Sequence, residues 1–146
     1  EKSYRMVGTE LSIEYSAFES GMDRFICLDK NDFIGRKELI KWQERGFKNQ
    51  LVTLDVDGIE EADALGNNAL TIAGKLIGRA TSGGFGFRVN RSLALAMVKP
   101  QYAIIGTEFS IDILGKNYEC VVISESPYDP ENKKIRSKVT ASLIDK

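Results

Sequence analysis

The chain has 146 residues, enough for one domain that buries about 68% of its extended surface and folds without a metal or a disulfide. Its 20 Lys and Arg stand against 21 Asp and Glu, a net charge of −1, which removes the general electrostatic case for nucleic acid or an anionic membrane as partner. Histidine is absent, which excludes Ser/His/Asp and Cys/His nucleophilic arrangements and every His-containing zinc site.

Residues 1–28 carry no long helical period. Ser12 to Phe18 reads as a loop or short helix, and Gly21 precedes an apolar stretch ending at Leu28. The sequence opens on Glu1 rather than Met, and Glu1-Lys-Ser-Tyr-Arg-Met-Val-Gly8 has no start-of-domain character, so a processed protein or an excised piece is expected. Ile34, Leu39, Ile40 and Trp42 then form a partial apolar stripe. It predicts a helix of about ten residues starting near Gly35 or Arg36 and stopping at Gly46, with Trp42 sealing it against the rest of the molecule.

From Asn49 the period changes toward two, and strands are predicted over residues 50–56, 69–72, 76–81, 93–98, 107–113 and 118–124. Asp57-Gly58, Gly74-Lys75 and Gly115-Lys116 supply turns, and the acidic stretch Glu60-Glu-Ala-Asp63 reads as a solvated connection. With no helices between the strands, the pattern favours a small antiparallel six-stranded barrel preceded by one helix. Pro127-Tyr-Asp-Pro130 bends an extended tail over the surface, and the last ten residues have little local pattern.

Gly83-Gly-Phe-Gly86 fits neither GxGxxG nor GxxxxGK[ST] and reads as a turn. Beside it, Arg79, Thr81, Ser82 and Arg88 combine two guanidinium groups with two hydroxyls, a set suited to carboxylates on a ligand or a neighbouring domain; surface pairing is the alternative. Arg79 and Thr81 share a strand face, whereas Arg88 needs the turn to bring it back. Asp55 and Asp57, like Glu60 and Asp63, read as solvent groups, and no acid/base pair is assigned. Cys27 and Cys120 lie in apolar runs with no CxxC spacing, so buried free thiols and a reducing compartment are expected. No apolar run near 18 residues and no leader is visible.

Several segments in order resemble the carboxyl-terminal part of the folate-dependent aminomethyltransferase family, which includes the glycine-cleavage T-protein. They are Glu1-Lys-Ser-Tyr-Arg-Met-Val-Gly-Thr-Glu-Leu11, Phe18-Glu-Ser-Gly-Met22, Phe33-Ile-Gly-Arg36, Leu76-Ile-Gly-Arg-Ala-Thr-Ser-Gly-Gly84 and Leu93-Ala-Leu-Ala-Met-Val98. Ser126-Pro-Tyr-Asp-Pro-Glu131 with Ile135-Arg136 is closer to the tails of sarcosine and dimethylglycine dehydrogenases or oxidases. The sequence departs from the family at Met6-Val7-Gly8, where an aromatic usually precedes the glycine, and at Ala17, where proline is common.

The resemblance implies that residues 1–28 are a remnant of an upstream α+β folate-binding domain, residues 29–47 a helical connection, and residues 48–146 the C-terminal barrel and tail. It implies tetrahydrofolate as cofactor of the complete parent, an amine-derived one-carbon donor, and FAD in a further upstream domain if the parent is a dehydrogenase. The family's catalytic carboxylate lies upstream of Glu1, so no catalytic or metal residue is assigned here and no cofactor is expected on the isolated piece. Glu1 matches a family Glu and, with Tyr4, reads as a cofactor-side remnant. Arg79, Thr81, Ser82 and Arg88 are the barrel's contact set, and Tyr128 and Arg136 position the tail. The implied compartment is the cytoplasm, or the mitochondrial matrix in a eukaryote. A stand-alone binding barrel without one-carbon chemistry is the alternative.

Overall fold

The computed structural model describes residues 1–58 and 62–137. Glu60 and Glu61 of the acidic connection, and the last residues of the chain after Ser137, lie outside the described residues. The elements are α1 (Arg36–Arg45), β1 (Gln50–Val56), β2 (Ala69–Ile72), β3 (Lys75–Gly86), β4 (Arg91–Val98), β5 (Glu108–Ile113), β6 (Lys116–Ile123) and a final short helix α2 (Lys133–Arg136). The six strands close into an antiparallel barrel in the order β1-β4-β3-β2-β5-β6, as the strand spacing predicts.

Two of its hairpins turn through two residues with positive φ, Ala73-Gly74 (48° and 75°) and Leu114-Gly115 (53° and 79°). That geometry matches the right-handed twist of the strands it joins. Period-two alternation then sends Val52, Leu54 and Val56 of β1 and Ala94, Ala96 and Val98 of β4 into the core with Leu70, Phe109, Ile111 and Val122. The alanines of β4 lie opposite larger residues on β1, Ala94 beside Leu54 and Ala96 beside Val52, and opposite small ones on β3, Gly83 and Ala80, so the large side chains of the other strands fill the interior without crowding.

The turn expected at Gly83-Gly-Phe-Gly86 is a correction. β3 runs straight through it, pairing Gly83 with Ala94, Gly84 with Leu93 and Gly86 with Arg91, and the chain reverses later, over Phe87 to Asn90. The reason for glycine is close approach: a Cβ at Gly83 would lie 2.5 Å from the Ala64 carbonyl oxygen and 2.7 Å from the Ala64 Cβ. β3 also carries two irregularities, one against β2 and one between Ala80 and Ser82 against β4, which let a 12-residue strand bend around the barrel.

Helix α1 starts and stops at glycines with φ of 90° and 77°, as its sequence predicts. It buries none of its residues, and Trp42 is half-buried under the Arg45 guanidinium, 3.6 Å from the ring centroid. Trp42 therefore does not seal the helix into the barrel core. Of the two thiols, Cys120 is buried and Cys27 exposed. The apolar run around Cys27 lies on the surface rather than in a strand, so apolar neighbours in sequence do not bury it. Among the described residues no helix is long and apolar enough to cross a membrane.

Candidate functional site

β4 is apolar on both faces. Leu93 and Met97 stand outside the core cluster yet are 7% and 1% exposed, and on this outer wall Ser3, Glu10 and Glu19 of the opening segment bond to β1 and β3. Three hydrogen-bonded attachments fix this seam. Ser3 Oγ and Thr53 Oγ1 are 2.8 Å apart, and both donate to the Glu125 carbonyl, Thr53 at 2.7 Å. Glu10, fully buried, accepts from the Met6 N–H (2.8 Å), the Thr9 hydroxyl (2.7 Å) and the Ser82 hydroxyl on β3 (3.0 Å). Glu19, also buried, accepts from the Ser16 N–H and hydroxyl on one side and from the Lys48 and Asn49 N–H groups, at 3.0 and 2.9 Å, on the other.

Among the described residues neither carboxylate is paired with a cation. Burial alone would raise both pKa values, but the donors outweigh it: the Thr81 hydroxyl, Met6 N–H and Thr9 hydroxyl for Glu10, and the Ser16, Asn49 and Lys48 donors for Glu19, hold each carboxyl below its ordinary value. Thr81 has a single proton, and its Oγ1 lies 3.1 Å from the Leu95 carbonyl oxygen. Ser82 is therefore the firmer donor to Glu10 from the barrel.

Along this seam lies a cleft of about 420 Å³, walled by Glu1 to Tyr4 on one side and by Ser82 to Phe87 with Leu93 to Leu95 on the other. It gathers three of the residues singled out by sequence: Glu1, Tyr4 and Ser82. Glu1 is fixed by the Arg88 N–H, which donates to its Oε1 at 2.5 Å, and the Glu1 carbonyl accepts from the Tyr128 N–H at 3.2 Å. The Arg88 guanidinium stands 5.8 Å from the Tyr128 ring centroid, so Glu1, Arg88 and Tyr128 form one knot at the cleft's end. Lys2 ties the same tail through Asp129.

Arg79 belongs elsewhere. Its guanidinium meets Glu14 (2.6 Å), the Tyr15 hydroxyl (2.6 Å) and Asn67 (3.0 Å), and with Thr81 it lines a neighbouring cavity of about 340 Å³. Arg79 stands in the first half of β3 and Arg88 in the turn beyond its last residue, Gly86, with roughly 20 Å of strand between them at strand rise, and the turn does not bring them together. The bulge sets Thr81 and Ser82 together opposite Leu95, both within reach of Glu10. Arg136 is exposed on α2, and its N–H donates to the Asn132 carbonyl at 3.0 Å.

Glu10 and Glu19 are the residues that reading the sequence missed. A signal for Glu19 exists: Ser16-Ala-Phe-Glu19 has capping-box spacing, and the reciprocal bonds form, Glu19 N–H to Ser16 Oγ at 3.2 Å. Gly21 (φ 64°) closes the same single turn, with its N–H on the Phe18 carbonyl and that of Met22 on Ala17. Glu10 carries no local signal, because its barrel partner Ser82 is remote in sequence. Chemically, the cleft offers one carboxylate, a tyrosine, hydroxyls and aromatic faces. Such a set is chemically suited to a ring, by stacking and hydrogen bonds. Among the described residues no group of three or more Cys, Asp or Glu is placed to hold a metal.

Fold and seam together define a small all-antiparallel barrel domain whose outer wall carries one half of a cleft. The chain belongs to the glycine cleavage T-protein C-terminal barrel domain family, which matches residues 49–129. It is 35% identical over 126 residues to human mitochondrial dimethylglycine dehydrogenase, covering 86% of this chain and 14% of that protein. It is also 35% identical over 118 residues to the aminomethyltransferase of Desulfitobacterium hafniense, covering 81% of this chain and 32% of that one. The crystal structure of glycine cleavage system aminomethyltransferase T from Bartonella henselae superposes with a TM-score of 0.76 at 22% identity, over 84% of this chain and 35% of that one. The chain therefore spans 14% to 35% of the length of these relatives.

Proposed function

We propose that this chain is the C-terminal part of a tetrahydrofolate-dependent enzyme of the aminomethyltransferase family, related to the dimethylglycine and sarcosine dehydrogenases, and that its barrel braces one side of the folate site. Residues 1–28 are then the end of an upstream folate-binding domain, residues 29–47 the connection and residues 48–146 the barrel with its tail. The observation that carries this reading is the cleft, which sets Glu1 and Tyr4 of the upstream remnant against Ser82 and the glycines of β3.

The residues present suit part of a folate. Glu1 spends Oε1 on Arg88, which leaves Oε2 to accept from a ring N–H, and Tyr4 and Phe85 offer aromatic faces at the rim. A cleft of about 420 Å³ takes a ring system rather than the whole cofactor, so the remaining contacts belong to the upstream domain. Bound there, tetrahydrofolate supplies the nitrogen that accepts a one-carbon unit from an amine-derived donor. Arg88 and Tyr128 keep Glu1 in place and Glu10 aims Ser82, while Arg79 and Thr81 face the adjoining cavity as contacts for the upstream domain. A flavin, in a dehydrogenase parent, lies in a further domain. The compartment is the cytoplasm, or the mitochondrial matrix in a eukaryote.

Titration calorimetry tests the division of labour. The 146-residue chain is expected to bind tetrahydrofolate weakly or not at all. The complete protein is expected to bind it and to lose one-carbon transfer when residues 48–146 are deleted. Stoichiometric micromolar binding by the isolated chain, or normal transfer without the barrel, contradicts the proposal.

A further inference from the structure

Ser3 has a left-handed backbone, φ 51°, and is 5% exposed. A residue with a side chain keeps that conformation only where its surroundings hold it. The kink falls within Glu1 to Tyr4, the run that forms one wall of the cleft, so it sets the direction in which Glu1 leaves the seam.

Arg5 holds the kink. Its side chain is 6% exposed. Nη1 donates to the Ser3 carbonyl at 2.8 Å and to Glu125 Oε1 at 2.6 Å, Nε to the Ser20 carbonyl at 3.0 Å and Nη2 to the Gly21 carbonyl at 3.2 Å. The seat is shaped for this group, since a Cβ at Gly21 (φ 64°) would lie 2.6 Å from Nη2. A planar fork reaches all of these acceptors at once, whereas an ammonium has neither the spread nor the fixed directions. Arg5 thereby ties the kink to the turn that carries Glu19 and to the segment after β6, while it does not itself line the cleft. At the other end of the wall, Glu1 accepts from the Arg88 N–H at 2.5 Å and from the Tyr128 N–H at 3.2 Å. Both bonds need the kink to point Glu1 that way.

We infer that Arg5 is a positioning residue for the cleft, holding the Ser3 kink so that Glu1 reaches Arg88 and Tyr128 and presents its second carboxylate oxygen to a bound ring. The ring rests on the folate reading. The placement of Glu1 rests on the geometry alone.

Both parts are tested on the complete protein with Arg5→Lys, which keeps the charge and loses the fork. Without cofactor, amide exchange at Arg88 and Tyr128 is expected to quicken about tenfold while that of the core residue Leu54 keeps its rate. The tetrahydrofolate Kd is expected to rise about tenfold, as for loss of a charge-assisted hydrogen bond, and Glu1→Gln to raise it as much. Glu1→Gln/Arg5→Lys is expected to bind no worse than Glu1→Gln alone, because Arg5 acts through Glu1. A residue that only stabilises the fold would give additive losses or none. Unchanged exchange, additive losses, or parent-like affinity in Arg5→Lys where Glu1→Gln weakens binding would each overturn the inference. Quickened exchange with parent-like affinity in both variants would instead bring down the folate reading and uphold Arg5 as the group that places Glu1. If Arg5→Lys does not fold, Glu125→Gln, at a half-exposed side chain, removes the ion pair alone and is expected to move exchange and affinity the same way by about threefold; no movement in either overturns the inference.

Discussion

Glu10 and Glu19 are buried carboxylates that, among the described residues, are held by neutral donors and no counter-ion. Each is ringed by N–H and O–H donors drawn from both sides of the seam. Removing such an acceptor strands the donors it satisfied, so Glu19→Ala is expected to cost about 3 kcal/mol in urea unfolding, whereas substitution of exposed Glu44 changes little. The pH dependence has a definite sign. Both folded-state pKa values lie below the ordinary 4.5, so the unfolded chain takes up protons first as the solution is acidified. Their stabilisation is complete above that value and is lost as pH falls through the lower folded-state values. The urea midpoint of the parent chain is therefore expected to drop between about pH 5 and pH 3, and that of Glu10→Gln/Glu19→Gln to start lower and drop less. An equal drop in both would place the acid sensitivity elsewhere. The thiols divide by exposure in the same way: burial, with Glu119 nearby, pushes the Cys120 thiol up to about 12, while Cys27 is open to solvent. A thiol reagent is expected to label Cys27 at once and Cys120 only on unfolding.

At the scale of elements, β3 makes the sharpest prediction. Gly83 is crowded by Ala64, while a Cβ on Gly84 meets nothing within 4 Å. Gly83→Ala is expected to destabilise by about 1–3 kcal/mol and Gly84→Ala to leave the thermal midpoint nearly unchanged, although glycine is lost from the same strand in both. Most elements were legible in the residues. Period-two runs between Gly-containing turns placed β1 and β2, and the paired glycines Gly35 and Gly46 bounded α1, because these signals are local. What was not legible depended on residues far apart in sequence. Glycines in β3 look like a turn until residues 62–65 are laid against them, and Leu93-Ala-Leu-Ala-Met-Val98 shows two apolar faces without showing that the first 28 residues cover the outer one. Of the site, Glu1, Tyr4 and Ser82 were visible as candidates and do meet at one cleft. The separation of Arg79 from Arg88 followed from the unforeseen length of β3, and the buried role of Glu10 from a partner on that same strand.

The whole molecule is a closed barrel with a core of its own, carrying on one wall a segment that has no regular strand partner and is bound chiefly by side chains. Tyr4, Met6, Val7 and Ile13 on that segment, with Phe85 and Phe87 at the end of β3, are all large, apolar and exposed. They border the cleft and the seam, where a preceding domain of the family's larger proteins would lie against them. The cleft between Glu1 and β3 is proposed as the barrel's side of a folate site. Gly84 gives the most direct access to it, because it lines the cleft and a Cβ there meets nothing within 4 Å. The decisive measurement is the tetrahydrofolate Kd of the complete protein carrying Gly84→Leu beside Gly84→Ala, with the thermal midpoint recorded for each. Gly84→Leu is expected to weaken binding by about tenfold or more at an unchanged midpoint, and Gly84→Ala to stay near the parent. Parent-like tetrahydrofolate affinity in a folded Gly84→Leu protein would contradict the proposal.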